Sequence, residues 1–259
     1  MVMSSLLIGI LLARTVSGAV GAAFGWRAMY WLAAGLMVLL FVVLRAMLPR
    51  EQPRMGLSYL QLLRSLGGLI RSEPALREVS VFGGMAFGAF SVFWVALPFF
   101  LETPPYHYGS AVVGLFGLVG VGGALAASYA GRLADRIDAR ITTGVVLVIS
   151  ALAFACFWLF GLAIWGLIVG VILLDIGTQA THISNQTRVY SLSPEARNRL
   201  NTVYMVSYFV GGSLGSALGA YGWSVARWSG VCIAGLIMLG VALAYYAIRS
   251  LRRHQLVQK

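Results

Sequence analysis

Charge is scarce in this sequence: only 10% of its 259 residues are Asp, Glu, Lys or Arg, whereas soluble domains carry about a quarter. The sequence contains long apolar runs instead, and several of them exceed the roughly 18 residues that a helix needs to cross a bilayer. These runs do not alternate between apolar and polar residues, as the strands of a transmembrane barrel would. Because lipid offers the backbone no hydrogen-bond partner, the sequence excludes a soluble domain and predicts an all-α polytopic membrane protein.

Residues that bind metals or perform covalent catalysis are also few. The two cysteines, Cys156 and Cys232, lie inside apolar runs, where cysteine acts as a small packing residue, so we predict neither a disulfide nor a metal site. The three histidines, His107, His182 and His254, are far apart, and there is no H-E-x-x-H motif. An intramembrane hydrolase needs paired acids, a metal motif or a nucleophile with its base. We therefore expect no cofactor and no enzymatic activity.

The apolar segments predict eight membrane spans, near residues 3–24, 27–48, 78–101, 109–131, 141–161, 163–187, 200–222 and 228–249. Basic residues alternate between the connections. One set of connections, with the C-terminal tail, holds 16 of the 19 Lys and Arg residues, and the other set holds only Arg27 and Arg227. The positive-inside rule assigns the first set, and both termini, to the cytoplasm. The net charge of +11 therefore points to the lipid bilayer as the partner and not to nucleic acid.

The longest connection, residues 49–77, separates two predicted spans in 1–48 from six in 78–259. Apolar residues within it fall at helical spacing: Leu57, Leu60, Leu63 and Ile70. This spacing favours a short amphipathic helix lying on the cytoplasmic face. The Gly67–Gly68 pair weakens a helix, however, and a partly ordered linker fits the segment equally well.

The sixth span carries a polar stripe in DIGTQATHISNQTR. Its polar side chains share one helical face: Asp175, Thr178, Gln179, His182, Asn185 and Gln186. Such a stripe must face protein or water, and carboxylates and histidines take up protons. The stripe therefore lines either a cavity for a coupling proton or polar substrate, or a satisfied seam between helices. Arg14, in the middle of the first span, is a second charge at membrane depth that needs an anionic or carbonyl partner.

A charged loop follows the fourth span. The stretch GRLADRIDAR, residues 131–140, holds five charges in ten residues. Topology explains its arginines but not the interleaved acids. Gly131 permits close approach of two helices, while Asp135 can pair with a helix N-terminus and Arg136 with an acid. We expect Gly131, Asp135, Arg136 and Arg140 to form a latch between moving helices.

This loop resembles the G-x-x-x-D-R-x-G-R-R signature of the major facilitator superfamily. The four latch residues match it, whereas Asp138 and Ala139 replace a glycine and an arginine. The stretch SSLLIGILLARTVSGAVGAAFGWRAMYWLAAGLM is similar to the fifth and sixth helices of that family. DIGTQATHISNQTRVYSLSPEARNRLNTVYMVSYFVGGSLGSALG is similar to the tenth and eleventh helices of bacterial sugar- and drug-efflux members. The chain therefore resembles helices five to twelve of a twelve-helix fold.

The resemblance implies a secondary transporter of a bacterial inner membrane, in which protons drive efflux of a small organic molecule, as in an antiporter, by alternating access. In the resembled fold the third span of this chain lines the cavity. Phe90 and Trp94, with the neighbouring aromatic residues, are then either substrate contacts or ordinary packing. The same fold brings the first and sixth spans close together, which implies that Arg14 faces Asp175 or an anionic substrate group; the alternative is that it snorkels or pairs with a helix carbonyl group. Gly211, Gly215 and Gly219, at a spacing of four, favour a close-packing face.

The start of the chain carries a further expectation. The first span begins at Met1 with no polar residues before it, and the first four helices of the resembled fold have no counterpart. We expect an N-terminally truncated chain. The alternative function is a transport-incompetent fragment that acts only with partners, such as a separate N-terminal four-helix segment, or not at all.

Overall fold

The computed structural model describes residues 9, 13, 16–48, 59–109, 112–120 and 139–257. Every regular element in these ranges is a helix: α1 over 16–24, α2 Trp26–Met47, α3 Tyr59–Ser72, α4 Pro74–Glu102, α5 over 112–120, α6 Ala139–Phe160, α7 Ile164–Leu192 and α8 Arg197–Val257. The all-α fold predicted from the composition is confirmed.

The predicted spans coincide with helices wherever the structure describes them. Five helices in the described part of the chain are long and apolar enough to cross a membrane, namely α2, α4, α6, α7 and α8. The last of these contains two predicted spans, because Ala226 and Arg227 leave the helical conformation and divide α8 into a first arm, 197–225, and a second arm, 228–257. Arg227 adopts a φ of 50°, which is rare for a side chain with a Cβ.

Helix α4 and the first arm of α8 approach each other through glycines. A Cβ atom added at Gly84 would lie 3.0 Å from the carbonyl oxygen of Ser207, and one at Gly88 would lie 2.8 Å from that of Gly211. A Cβ at Gly215 would collide with the Gly88 backbone, and one at Gly219 would lie 2.7 Å from the carbonyl oxygen of Val92. Small residues allow such contact between membrane helices, where backbone proximity strengthens van der Waals attraction. The close-packing face predicted for Gly211, Gly215 and Gly219 is confirmed.

Aromatic side chains fill the larger of the two buried clusters that the described residues form. Phe93 of α4 stacks on Phe157 of α6 with ring centroids 4.3 Å apart, and Phe100 stacks on Trp228 at 3.8 Å. The indole Nε1 of Trp228 also donates a hydrogen bond of 2.9 Å to the Phe157 carbonyl oxygen. The second arm of α8 is thereby tied to α6. A smaller cluster, around Leu76, Leu200 and Tyr204, closes the opposite end of the bundle.

The central connection contains a helix, α3, so the linker interpretation is wrong for residues 59–72. This helix continues through Gly67 and Gly68 because tertiary packing outweighs intrinsic propensity. The side chains that pack against the smaller cluster are Leu66 and Leu69. Leu63 and Ile70, which the spacing placed on the apolar stripe, remain 45% and 41% exposed. The side chains that contact the bundle are therefore not those of the predicted apolar stripe, and the position of that stripe on the membrane face stays a prediction.

Candidate functional site

The polar stripe of α7 is buried to different depths along the helix. Asp175, Thr178 and Asn185 are buried, with 4%, 3% and 0% of their surface exposed, whereas Gln179 and His182 are half-buried. The Thr178 hydroxyl has no hydrogen-bond partner among the described residues. A seam between helices would normally satisfy its buried polar atoms, so this part of the stripe is only partly satisfied by protein.

Asp175 lies where α7 meets α5. A Cβ atom added at Gly120 would be 3.1 Å from Oδ2 of the carboxylate, so α5 approaches the acid at a residue without a side chain. A carboxylate buried at membrane depth is costly in its charged form. Proton uptake removes that cost, which makes Asp175 chemically suited to carry a proton.

Nearer the end of α7, His182 joins an aromatic group on α8. Its Nδ1 lies 3.1 Å from the hydroxyl of Tyr204, and its ring centroid lies 4.7 Å from that of Tyr208. One turn further along, Nδ2 of Asn185 donates a hydrogen bond of 3.2 Å to the carbonyl oxygen of Val79 in α4. The stripe thus contacts both α4 and α8 and fixes α7 between them.

The aromatic residues of α4 divide into two faces. Phe82 and Phe93 are 1% and 0% exposed and belong to the core. Phe87, Phe90 and Trp94, at spacings of three and four, are half-buried and lie on another face. On that face, the ring centroids of Phe87 and Phe90 are 5.7 Å apart and those of Phe90 and Trp94 are 5.9 Å apart.

The two groups meet at Phe87, which stacks on Tyr208 with centroids 4.0 Å apart. A continuous row of ring contacts therefore runs through His182, Tyr208, Phe87, Phe90 and Trp94. We call this row the aromatic ladder. It has one titratable imidazole at one end and an indole at the other, and its α4 members keep part of their surface accessible.

An ion cluster occupies the end of the bundle near the start of α4. Glu78, whose side chain is 6% exposed, accepts hydrogen bonds from Nη2 of Arg188 at 3.1 Å and from Nη2 of Arg249 at 3.3 Å. Sequence reasoning missed this site and assigned both arginines to topology. The one signal was an acid at the first position of a predicted span, but its partners are 110 and 171 residues away.

Several predicted site residues lie outside the described residues. Among them are Arg14 and three latch residues, Gly131, Asp135 and Arg136. The fourth latch residue, Arg140, lies in the first turn of α6, where only its backbone is described. The latch and the pairing of Arg14 with Asp175 therefore stay predictions. Within the described ranges, no group of three or more His, Cys, Asp or Glu side chains is arranged to hold a metal ion.

Known proteins resemble this chain over most of its length. The sequence model of the Major Facilitator Superfamily matches residues 1–163 and again 79–258. The "Uncharacterized transporter YgaY" of Escherichia coli O157:H7 is 42% identical over 234 residues, which are 90% of this chain and 59% of that protein. The "Probable transporter SCO4007" of Streptomyces coelicolor is 34% identical over 252 residues, 97% of this chain and 58% of that protein.

The chain spans somewhat less than six tenths of the length of these two relatives. Together, the two matches to the family model cover nearly all of the chain's 259 residues. The helices long enough to cross a membrane agree with a multi-pass membrane protein. On these grounds, the chain belongs to the major facilitator superfamily of membrane transporters.

Proposed function

We propose that the protein takes part in proton-coupled efflux of a small organic molecule, a drug or a sugar, by alternating access. The observation that carries this proposal is the aromatic ladder beside the partly satisfied polar stripe. Ligand sites are mostly apolar and aromatic, with a few polar groups that fix orientation. The accessible rings of Phe87, Phe90 and Trp94 supply the apolar surface, and His182 supplies a polar end.

Asp175 is the residue that we propose to couple transport to protons. Its burial supports this role, because an acid at the centre of a membrane helix costs on the order of 2.5–3.5 kcal/mol and proton uptake removes the charge. Thr178, one turn away, lies on the same face, and its hydroxyl has no hydrogen-bond partner among the described residues. Proton uptake by Asp175 is then the event that biases the transporter between two conformations.

Orientation and membrane belong to the same proposal. The charge asymmetry of the connections supports cytoplasmic termini, and the two bacterial relatives support a bacterial inner membrane. In this arrangement the ion cluster and the smaller hydrophobic cluster lie at the cytoplasmic end of the bundle. Reaction of single introduced cysteines with an impermeant thiol reagent, applied to intact cells and to inverted vesicles, tests the orientation.

Efflux from cells that lack their own multidrug pumps tests the function. Cells expressing the protein are loaded with fluorescent organic cations or labelled sugars, and efflux is followed with and without a protonophore. We expect energised efflux that the protonophore abolishes and that D175N reduces at least tenfold, since the asparagine cannot exchange a proton. The control E102Q neutralises an exposed acid at the end of α4 and should leave efflux unchanged. Efflux that persists in D175N, or that ignores the protonophore, would contradict the proposal.

A substitution within the aromatic ladder tests whether the ladder contacts the substrate. F90A removes a half-buried ring of the ladder, and we expect a changed rank order of substrates with normal folding. An equal loss for every substrate would argue that Phe90 is packing only.

The alternative is that these residues do not transport by themselves. Their coverage of less than six tenths of the two relatives motivates it. The same assay distinguishes the two functions when the 259-residue chain and the longest open reading frame containing it are compared. Efflux by the longer product alone would favour the alternative.

A further inference from the structure

Among the described residues, the ion cluster holds two arginines and one carboxylate. Among the residues that the structure describes, Arg188 and Arg249 pair with the same acid, Glu78. Each guanidinium has five N–H donors, and each gives one of them to this carboxylate. Counted over the described residues, two cations around one anion leave an excess of one positive charge where α4, α7 and α8 meet.

The cluster also leaves hydrogen-bonding capacity unused. Nη1 of Arg188 and Nε of Arg249 are buried and have no hydrogen-bond acceptor in the described part of the chain. A buried donor without a partner is unfavourable, and more so when it belongs to a charged group. A negatively charged group bound at the exposed part of the two guanidiniums would balance this charge and lower the cost of the cluster.

The arginines can be reached from outside the bundle. Their side chains remain 19% and 30% exposed, whereas that of Glu78 is 6% exposed. Arg188 lies near the end of α7 and Arg249 near the end of α8, so both sit where membrane helices leave the bilayer. Basic pockets between helix ends at this depth bind the headgroups of anionic lipids, and the planar guanidinium matches a phosphate with two parallel hydrogen bonds.

We propose that Arg188 and Arg249 form a binding site for the phosphate group of an anionic phospholipid headgroup. Glu78 accepts one hydrogen bond from each guanidinium and competes with the lipid for them, and the lipid phosphate binds at the exposed part of the two arginines. A bound lipid would then link the ends of α7 and α8. This site is separate from the aromatic ladder and does not depend on which substrate is transported.

Native mass spectrometry of the purified full chain in detergent tests the site. The protein is titrated with phosphatidylglycerol or, separately, with zwitterionic phosphatidylcholine, and the fraction carrying lipid is measured. We expect saturable binding of about one phosphatidylglycerol with clear preference over phosphatidylcholine. A parallel titration with millimolar inorganic phosphate identifies the source of the anion. If inorganic phosphate displaces the lipid completely and phosphatidylglycerol shows no advantage over phosphatidylcholine, the lipid assignment is overturned.

Variants separate this site from general attraction of lipid to a basic protein. R188Q and R249Q should each weaken phosphatidylglycerol binding about tenfold, since each removes a hydrogen bond to a charged group, which contributes about 1.5–3 kcal/mol. The matched control R77Q removes the same charge from an exposed residue next to Glu78 and should change binding less than about twofold. An equal loss in R77Q and R249Q would overturn the proposal, because the attraction would then be diffuse.

Two further variants, R249K and E78Q, distinguish a loss of the lipid site from a loss of folding. R249K keeps the charge and the ion pair but loses the planar fork, so it should fold normally and bind lipid more weakly than the unmodified protein. E78Q removes the competing carboxylate and should bind phosphatidylglycerol more tightly. Weaker binding in E78Q, with an unchanged melting temperature, would contradict the role given to the two guanidiniums.

Discussion

Helices α2 and α4 are both predicted spans made almost entirely of apolar residues, yet their surroundings differ completely. In α2 no residue of Trp26–Met47 is buried by the rest of the described structure. In α4, about half of the residues in the most apolar part of the helix are buried. The comparison shows that hydropathy predicts where a helix crosses the membrane but not what it packs against.

In the described structure, glycines of α4 contact the backbone of another helix, and the glycine of α2 does not. Lipid chains are as apolar as leucine, so an apolar helix gains little by leaving lipid for protein unless it packs closely. The glycines of α4 permit that approach, and backbone carbonyls of α8 lie where their side chains would be. The corresponding glycine of α2, Gly35, has no atom of a described residue within 4 Å of its added Cβ. Three mutational comparisons, described next, test whether this account is right.

The largest effect is expected for leucine at a packed glycine. In G215L the new Cβ would overlap the Gly88 backbone, which cannot move aside as a side chain can, so the cost should exceed the usual overpacking cost of about 1–3 kcal/mol. We expect loss of most of the monodisperse peak in fluorescence-detected size-exclusion chromatography. The matched variant G35L in α2 should give a normal peak. Similar peaks for the two variants would show that the α4–α8 contact is looser than the structure has it.

A smaller effect is expected from truncating a core ring. Phe93 is completely buried and stacked on Phe157, so F93A leaves a cavity. In a soluble protein, such a substitution lowers the free energy of unfolding by about 3–5 kcal/mol, part of which is the transfer of the ring from water to the core. Because lipid is also apolar, that transfer contribution is lost, and we expect F93A to lower the free energy of unfolding by about 2 kcal/mol.

The counterpart of F93A in α2 is F41A, whose ring is 64% exposed. We expect it to cost less than about 0.5 kcal/mol, as for ordinary surface positions. Reversible unfolding in mixed micelles, followed by far-ultraviolet circular dichroism, measures both variants. A larger loss for F41A would mean that α2 is covered by protein in the working molecule.

The smallest effect is expected from the polar contact between α7 and α4. N185A removes the hydrogen bond to the Val79 carbonyl oxygen, and hydrogen bonds between membrane helices contribute about 0.6 kcal/mol on average. The same unfolding experiment should detect a shift of about this size. Q186A, one position along the stripe and half-buried, serves as the control. A loss above about 2 kcal/mol in N185A would indicate that Asn185 holds more than one contact.

The sequence was informative about the site only in part. The stripe on α7 could be read from its spacing, because polar residues stand out in an apolar helix. Spacing could not divide the aromatic residues of α4 into core residues and ladder residues, because the helix is apolar on every side. In the structure, Phe82 and Phe93 belong to the core. The half-buried residues on the other face, which belong to the aromatic ladder, are Phe87, Phe90 and Trp94. The ion cluster was missed because its charges come together only when three distant helix ends meet.

By itself, the sequence determined the all-helical architecture and the positions of the spans, since about twenty consecutive apolar residues leave a backbone in lipid no other solution. It also determined that α7 carries a polar face. Only the tertiary structure decided which glycines meet, which aromatic rings face inward and which acid serves Arg188 and Arg249. The physical reason is that burial in lipid is a property of a single segment, whereas close packing and ion pairing depend on two or three segments at once.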